Sequence, residues 1–242
     1  MDGTAAATSA AAAAAGVGSA TAAATAAAAA AGSIGEAVAT HGVGATAGVR
    51  ATAGGILLSM ATANVRSLEP AELRLAQRAG LRTNLKIEVL DRDFHDAGFH
   101  IVCVQESAIR SSVTRRQRYY TAYTCTANEA GQLGVEIWVC NSLLGSCKVR
   151  AIPVSPRLMS ILVDGSIRAK ITCAHAPTEV ADDDDITGFW SLFNMHMAAT
   201  PGKRWHLVGI DVNARLGSPE SDLIGGPQHD QESDNGTRLR IP

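Results

Sequence analysis

Aromatic residues are scarce in this 242-residue chain, which holds three Trp, three Tyr and four Phe, and its first 55 residues contain none at all. That opening stretch also lacks large aliphatic side chains at regular spacing: 25 of its 55 positions are Ala, interspersed with Gly, Thr and Ser. Alanine favours helix intrinsically, but without bulky apolar groups no face can be buried to stabilise one. Residues 1–55 therefore read as a low-complexity extension expected to be disordered. No Lys or Arg precedes the first apolar stretch, which disfavours a secretory signal, and Thr, Ser and Gly interrupt every Ala run, which disfavours a membrane span. With Arg50 as the only arginine, the tract also departs from the Arg-rich pattern of organelle transit peptides.

A charge excess is missing too. From Ile56 to Pro242 there are 20 basic and 21 acidic residues, so no global field advertises a polyanionic partner, and any nucleic-acid affinity must come from a local patch. Seventeen of the 21 basic residues in the chain are Arg, which suits bidentate phosphate contact, although GC-rich coding gives the same bias. The five cysteines, Cys103, Cys125, Cys140, Cys147 and Cys173, form an odd set without CxxC spacing. They read as small buried hydrophobes in a reducing, intracellular setting rather than as a zinc site.

What is present from Ile56 onward is an alternation of short apolar runs and helical stretches, the pattern of an α/β protein. Strand-like runs fall at Ile56 to Val65, His100 to Gln105, Gly134 to Val139, Val149 to Val154, Leu158 to Val163, Ile167 to Cys173 and Arg204 to Ile210. Asp164-Gly165 between two of them signals a tight hairpin. A helix is expected over about Ala71 to Leu90, and a second over Ile186 to Met197, where Phe189, Trp190, Leu192, Phe193 and Met197 recur at helical spacing. The acids Asp182 to Asp185 would occupy that helix's first turn, where the macrodipole favours negative charge. Beyond Asn213 the chain reads as polar loop through Gly236, with no further strand.

Four polar groups stand at the C-terminal ends of separate strand-like runs: Asn64, Glu106, His175 and the pair Asp211/Asn213. Strand ends of one sheet edge are where α/β folds place their sites. The segments ATANVRSL (Ala61 to Leu68), IVCVQES (Ile101 to Ser107), GVEIWV (Gly134 to Val139), SPRLMSILV (Ser155 to Val163), CAHAPTE (Cys173 to Glu179) and GIDVNA (Gly209 to Ala214) follow one another in a fixed order. This series resembles the endonuclease/exonuclease/phosphatase superfamily, which includes pancreatic-type deoxyribonucleases, abasic-site endonucleases and the endonuclease domains of non-LTR retrotransposons. The closing DNGTRL (Asp234 to Leu239) is similar to an element of the retrotransposon branch.

The resemblance implies an α/β four-layer sandwich, two packed mixed β-sheets flanked by helices, over residues 56–242. It implies Mg²⁺ (or Mn²⁺) as cofactor and DNA as the substrate partner, in an intracellular setting that leaves the nucleus open. Glu106 would be the main metal ligand, with Asn64 beside it. Asp211 would orient or deprotonate the attacking water, Asn213 would donate to the phosphate oxygens, and His175 would contact phosphate or assist the leaving oxygen. Two departures stand out. The family's Gly-Asp-x-Asn is here Gly209-Ile210-Asp211-Val212-Asn213, and no His follows His229, whereas the family continues into a Thr-Trp segment and a final Asp-His pair. The resemblance thus implies a chain short of its C-terminal strands, and leaves open a phosphatase or phospholipid-type phosphoesterase, or an inactive remnant that keeps nucleic-acid binding.

Arg110, Arg115, Arg116 and Arg118 beside Tyr119, Tyr120 and Tyr123 mix charge with stacking surface and form a candidate nucleic-acid contact, against the alternative of a solvated loop. Trp138, Trp190 and Trp205 read as core. His95, His100, His196 and His206 read as surface or packing residues, and Arg157 as the partner in a strand-edge salt bridge.

Overall fold

The computed structural model describes residues 34–40, 46–53, 56–68, 85–199, 202, 204–214 and 233–240. Eleven strands lie among them in two sheets. The larger is built from β1 (Ile34–Thr40), β2 (Thr46–Ala53), β3 (Ile56–Asn64), β4 (Ile101–Gln105), β5 (Thr114–Arg116), β6 (Tyr120–Cys125) and β7 (Val135–Cys140), in the spatial order β1-β2-β3-β4-β7-β6-β5. The smaller runs β11 (Trp205–Asp211), β10 (Arg168–His175), β9 (Leu158–Gly165), β8 (Cys147–Ser155). Both sheets are mixed: β3/β4 and β10/β11 are parallel pairs, and the remaining pairs are antiparallel.

The sheets lie face to face because each inner face is mostly apolar. Met60, Ile101, Cys103, Ile137 and Val139 from one meet Met159, Ile161, Val163, Ile171, Cys173 and Leu207 from the other. Full burial of a side chain of this size stabilises by roughly 1.5–3 kcal/mol each. The outer face of the larger sheet is covered by α1 (Leu85–Asp96), whose Phe94 meets Trp138 edge-on with ring centroids 5.7 Å apart. A short α2 (Asn141–Leu144) carries the chain from one sheet to the other. Helix α3 (Asp183–Ala198) covers the smaller sheet with Ile186, Phe189, Trp190 and Phe193. The α/β four-layer sandwich expected from the sequence is the architecture found.

Local chemistry accounts for the element boundaries. Asp182 caps α3, its carboxylate accepting from the Asp184 backbone N–H at 2.9 Å, so the acidic run begins a helix as expected. The Asp164-Gly165 hairpin is also in place, with Arg168 paired to Asp164 across it. Gly209 faces the larger sheet where a Cβ would stand 2.6 Å from the Cys103 Cβ, so glycine lets the two sheets close at that point.

Several expectations need correction. Ile34–Thr40 and Thr46–Ala53, read as part of a disordered extension, form two strands extending the larger sheet past β3; their β-branched Ile, Val and Thr suit a strand, and backbone pairing does not require large side chains. The other residues of that tract lie outside the described ones, as does most of the helix expected from Ala71. Only its last part matches the start of α1, which runs on to Asp96. The segment read as Arg/Tyr-rich surface contains β5 and β6, and DNGTRL, read as loop up to Gly236, is α4 (Asp234–Arg240). Trp138 and Trp190 are core as expected, while Trp205 is only partly buried against the inter-sheet core. All five cysteines are unbridged. No described helix is long and apolar enough to cross a membrane.

Candidate active site

The parallel pairing sets which side chains meet. In the larger sheet Asn64 is level with Gln105, and Glu106 follows at once; in the smaller sheet His175 is level with Asp211. With the sheets stacked, the C-terminal ends of these two pairs come together, and the five strand-end residues singled out in the sequence form one hydrogen-bonded group.

Asn64 is its hinge. One amide nitrogen, Nδ2, donates to Glu106 Oε1 at 2.7 Å in its own sheet and to Asp211 Oδ2 at 2.8 Å in the other. Its Oδ1 accepts from the Arg66 backbone N–H at 3.1 Å, which fixes the amide's orientation. Asp211 uses its other oxygen to accept from the Asn213 N–H at 3.2 Å. Asn213 in turn donates through Nδ2 to the Ala176 carbonyl at 2.8 Å and lies 3.2 Å from His175 Nε2. His175 Nε2 also stands 3.6 Å from Glu106 Oε1.

Two of these residues hold backbone conformations rare for side-chain-bearing residues: φ is +54° at Glu106 and +45° at Asn213. Left-handed backbone at such positions costs on the order of 1 kcal/mol or more and persists only where surrounding contacts enforce it. At Glu106 the enforcing contacts are visible. Ser67 N–H donates to the Glu106 carbonyl at 2.6 Å, and Ser107 N–H donates to the Gly134 carbonyl at 3.0 Å.

The electrostatic environment differs residue by residue. His175 is almost fully buried, and burial pushes its pKa below the ordinary value, the Arg157 charge adding to that effect while Asp211 and Glu106 pull the other way. Its imidazole is therefore neutral near pH 7. Its Nδ1 has no hydrogen-bond partner among the described residues. Nε2 faces an amide donor and a carboxylate acceptor at once, so it can accept from Asn213 as a base or donate to Glu106 as an acid without moving the ring. The Glu106 side chain is 38% exposed, so one strong acceptor of the group opens to solvent.

The donor set suits a hard cation. Among the described residues no group of three or more His, Cys, Asp or Glu is arranged to hold a metal. Two carboxylates nevertheless converge on one neutral amide nitrogen, and one of them faces solvent. Mg²⁺ asks for little more, since it binds one or two carboxylates and keeps several waters.

The arginine and tyrosine cluster does not stay together. Tyr120 is fully buried, its hydroxyl donating to the Phe99 carbonyl at 2.5 Å, because strand alternation turns it inward; it has no face free to stack on a base. Arg115 is committed to the buried Glu136 carboxylate at 3.1 Å. Tyr119 stacks on His95 with centroids 3.9 Å apart, and Arg118 lies over its ring. This stack sits at the wrong edge: Tyr120 pairs with Cys140, whose N–H donates to the His100 carbonyl, at the start of β4. Glu106 lies beyond the other end, about 17 Å of strand away. Arg116 is exposed on β5. Of the cluster, only Arg110 follows Glu106 onto the site edge, with its guanidinium over Gly131.

Two further participants differ from the sequence reading, which gave Arg157 a salt bridge and did not single out Lys86. Among the described residues Arg157 has no salt-bridge partner; its Nη1 donates to the His175 and Ala176 carbonyls, both at 3.3 Å, tying the start of β9 to the end of β10. Lys86, from α1, donates to the Val65 and Ser67 carbonyls at 2.5 and 2.8 Å and so holds the turn after Asn64. Their partners are backbone carbonyls, which leave no mark in a sequence.

No family model matches the chain, and no curated protein matches it. Among solved structures 13 chains match. One is the endonuclease domain of TRAS1, a telomere-specific non-LTR retrotransposon, similar at a TM-score of 0.49 and 14% identity over 74% of this chain and 68% of that one.

Proposed function

We propose that this chain is a metal-dependent phosphodiesterase of the endonuclease/exonuclease/phosphatase superfamily, and that its substrate is DNA. The observation that carries this reading is the meeting of Asn64, Glu106, His175, Asp211 and Asn213 from four strands of two sheets in one hydrogen-bonded group. Glu106 would hold a Mg²⁺ or Mn²⁺ ion, with Asn64 beside it. A cation held there would supply positive charge to offset that of the phosphate oxygens.

The remaining steps belong to the protein. Asp211, its carboxylate fixed from both sides by Asn64 and the Asn213 N–H, orients an attacking water and accepts its proton. Asn213 would turn the amide hydrogen that faces His175 Nε2 to the negative oxygens of the transition state, while its other one stays on the Ala176 carbonyl. His175, neutral at pH 7, offers a hydrogen bond from Nε2 to the leaving oxygen, which takes its proton from solvent water. Arg110, on the loop leaving Glu106, offers a basic side chain for a flanking phosphate. DNA is favoured over an inositol phosphate or phospholipid by the DNGTRL element and by Arg110. The Arg118–Tyr119 stack, at the opposite edge, lends this choice no support.

The test is nicking of supercoiled plasmid with Mg²⁺, beside phosphate release from inositol phosphates. Nicking that stops on chelation and returns with Mg²⁺ or Mn²⁺ is expected, with loss on Glu106→Ala. Intact plasmid alongside cleaved inositol phosphate overturns the substrate, and undiminished Mg²⁺-dependent nicking by Glu106→Ala overturns the site.

A further inference from the structure

Behind the candidate site lies a buried amide, two of whose three hydrogen bonds end on segments that carry the site. Asn235, in the first turn of α4, is 1% exposed. Its Oδ1 accepts from Trp190 Nε1 at 2.9 Å, and its Nδ2 donates to the Pro177 carbonyl at 2.8 Å and approaches the Asn213 carbonyl at 3.5 Å. Indole N–H can only donate and the two carbonyls can only accept, so the amide has one possible orientation. Asn235 thereby joins the segment leaving β10, two residues past His175, to the backbone of Asn213 at the end of β11, with α3 as the anchor.

The geometry points to Asn235 as a positioning residue for the proposed hydrolysis: it sets the spacing between His175 and Asn213 without touching substrate. This inference rests on the phosphodiesterase reading for its effect on rate. Three features argue for positioning rather than mere packing. First, the bond to Asn213 reaches a residue whose left-handed backbone, φ +45°, needs outside support. Second, Asn213 and His175 contact each other through Nδ2 and Nε2 at 3.2 Å, so any drift of one strand end against the other falls on that pair. Third, beyond the last paired residues of β10 and β11, His175 and Asp211, the described residues join the two segments through Ala176 N–H to the Asp211 carbonyl at 2.8 Å and through the Asn213 side chain.

Asn235→Asp is the informative substitution, because it keeps size and the Trp190 contact but sets an oxygen against two carbonyls. Trp190→Phe is its companion: it keeps a ring in the core and removes only the donor that orients the amide. Both full-length variants and the parent are compared by steady-state plasmid nicking and by NMR of labelled histidine and asparagine side chains, below their melting temperatures. A displacement of about 1 Å at a catalytic pair costs on the order of 10²-fold in rate. Asn235→Asp is expected to lower kcat by about that factor with KM nearly unchanged, and Trp190→Phe by less. The His175 imidazole and Asn213 amide signals should shift in both, while those of His95 and His100 stay in place. Parental kcat in an active Asn235→Asp protein overturns the inference, and so do unmoved His175 and Asn213 signals. A parent that does not nick plasmid defeats the nuclease reading, while the NMR comparison still decides the positioning role.

Discussion

Lowering the pH should destabilise this protein through one histidine in particular, His206, whose environment makes protonation costly. It stands on β11 with Nε2 3.0 Å from Thr172 Oγ1. Thr172 is joined to Ser160 at 2.7 Å, and Ser160 to His196 Nε2 on α3 at 2.7 Å. From β10 the buried Lys170 ammonium donates to the His196 carbonyl at 2.5 Å. Among the described residues the charged and titratable groups acting on His206 include Lys170 and His196, both cationic when protonated. Burial first, then these two charges, holds the His206 pKa down to about 4. A histidine whose folded pKa is depressed stabilises the fold fully above its unfolded value near 6.5, and that stability drains away as pH falls towards the folded value. At pH 5 the unfolded chain has gained most of its proton and the folded one almost none. The resulting loss, about 2 kcal/mol relative to pH 8, is an order-of-magnitude figure for this one group. Urea unfolding at pH 8 and pH 5 measures it: His206→Gln, which can still reach Thr172, should lose about 2 kcal/mol less than the parent over that interval. Equal losses in the two proteins would refute the reasoning.

Two further outcomes follow from packing. Arg115→Ala should destabilise by about 3 kcal/mol, because it strips the buried Glu136 carboxylate of its counter-charge and leaves only the Trp138 indole and the Thr124 hydroxyl bonded to it. In the Arg115→Ala, Glu136→Gln double mutant much of that loss should return, and denaturant midpoints that stay additive would contradict it. Gly209→Ala should cost about 1–3 kcal/mol by pressing a methyl against Cys103 between the sheets. Because Asp211 is two residues on, nicking should fall as well, and full stability with full activity would show that the sheets have slack there.

Legibility in the sequence followed burial. The strands β3, β4 and β7 to β11 announced themselves because each carries a nearly continuous apolar or alternating run, and α3 because its aromatic residues recur at helical spacing. By contrast, β1 and β2 are made of Ala, Gly, Thr and a few branched residues, so their hydrophobic signal is weak. In β5 and β6 the arginines masked an inward alternation that buries Tyr120 and Ala122. DNGTRL reads as a turn because Asp, Asn and Gly favour turns, yet its Asn235 is drawn inward by the Trp190 indole and two carbonyls. The strand-end residues of the site could be named from sequence, since a polar residue after a buried run marks a sheet edge. Their mutual geometry could not, because it depends on how two separate sheets are aligned. Nor could the failure of the arginine cluster, which turns on which end of β4 each residue adjoins.

That alignment has a consequence for how this protein loses function. Asn64 and Glu106 belong to one sheet, His175, Asp211 and Asn213 to the other, and the Asn64 amide nitrogen and the His175–Glu106 contact span the seam between them. Each sheet could keep all its internal pairing and still possess only half of the chemistry. Function here is a property of the seam, so a compact state with intact strands but loosened inter-sheet contacts would be silent. Activity should fade with the near-ultraviolet signal of fixed side chains, before the far-ultraviolet signal of secondary structure changes.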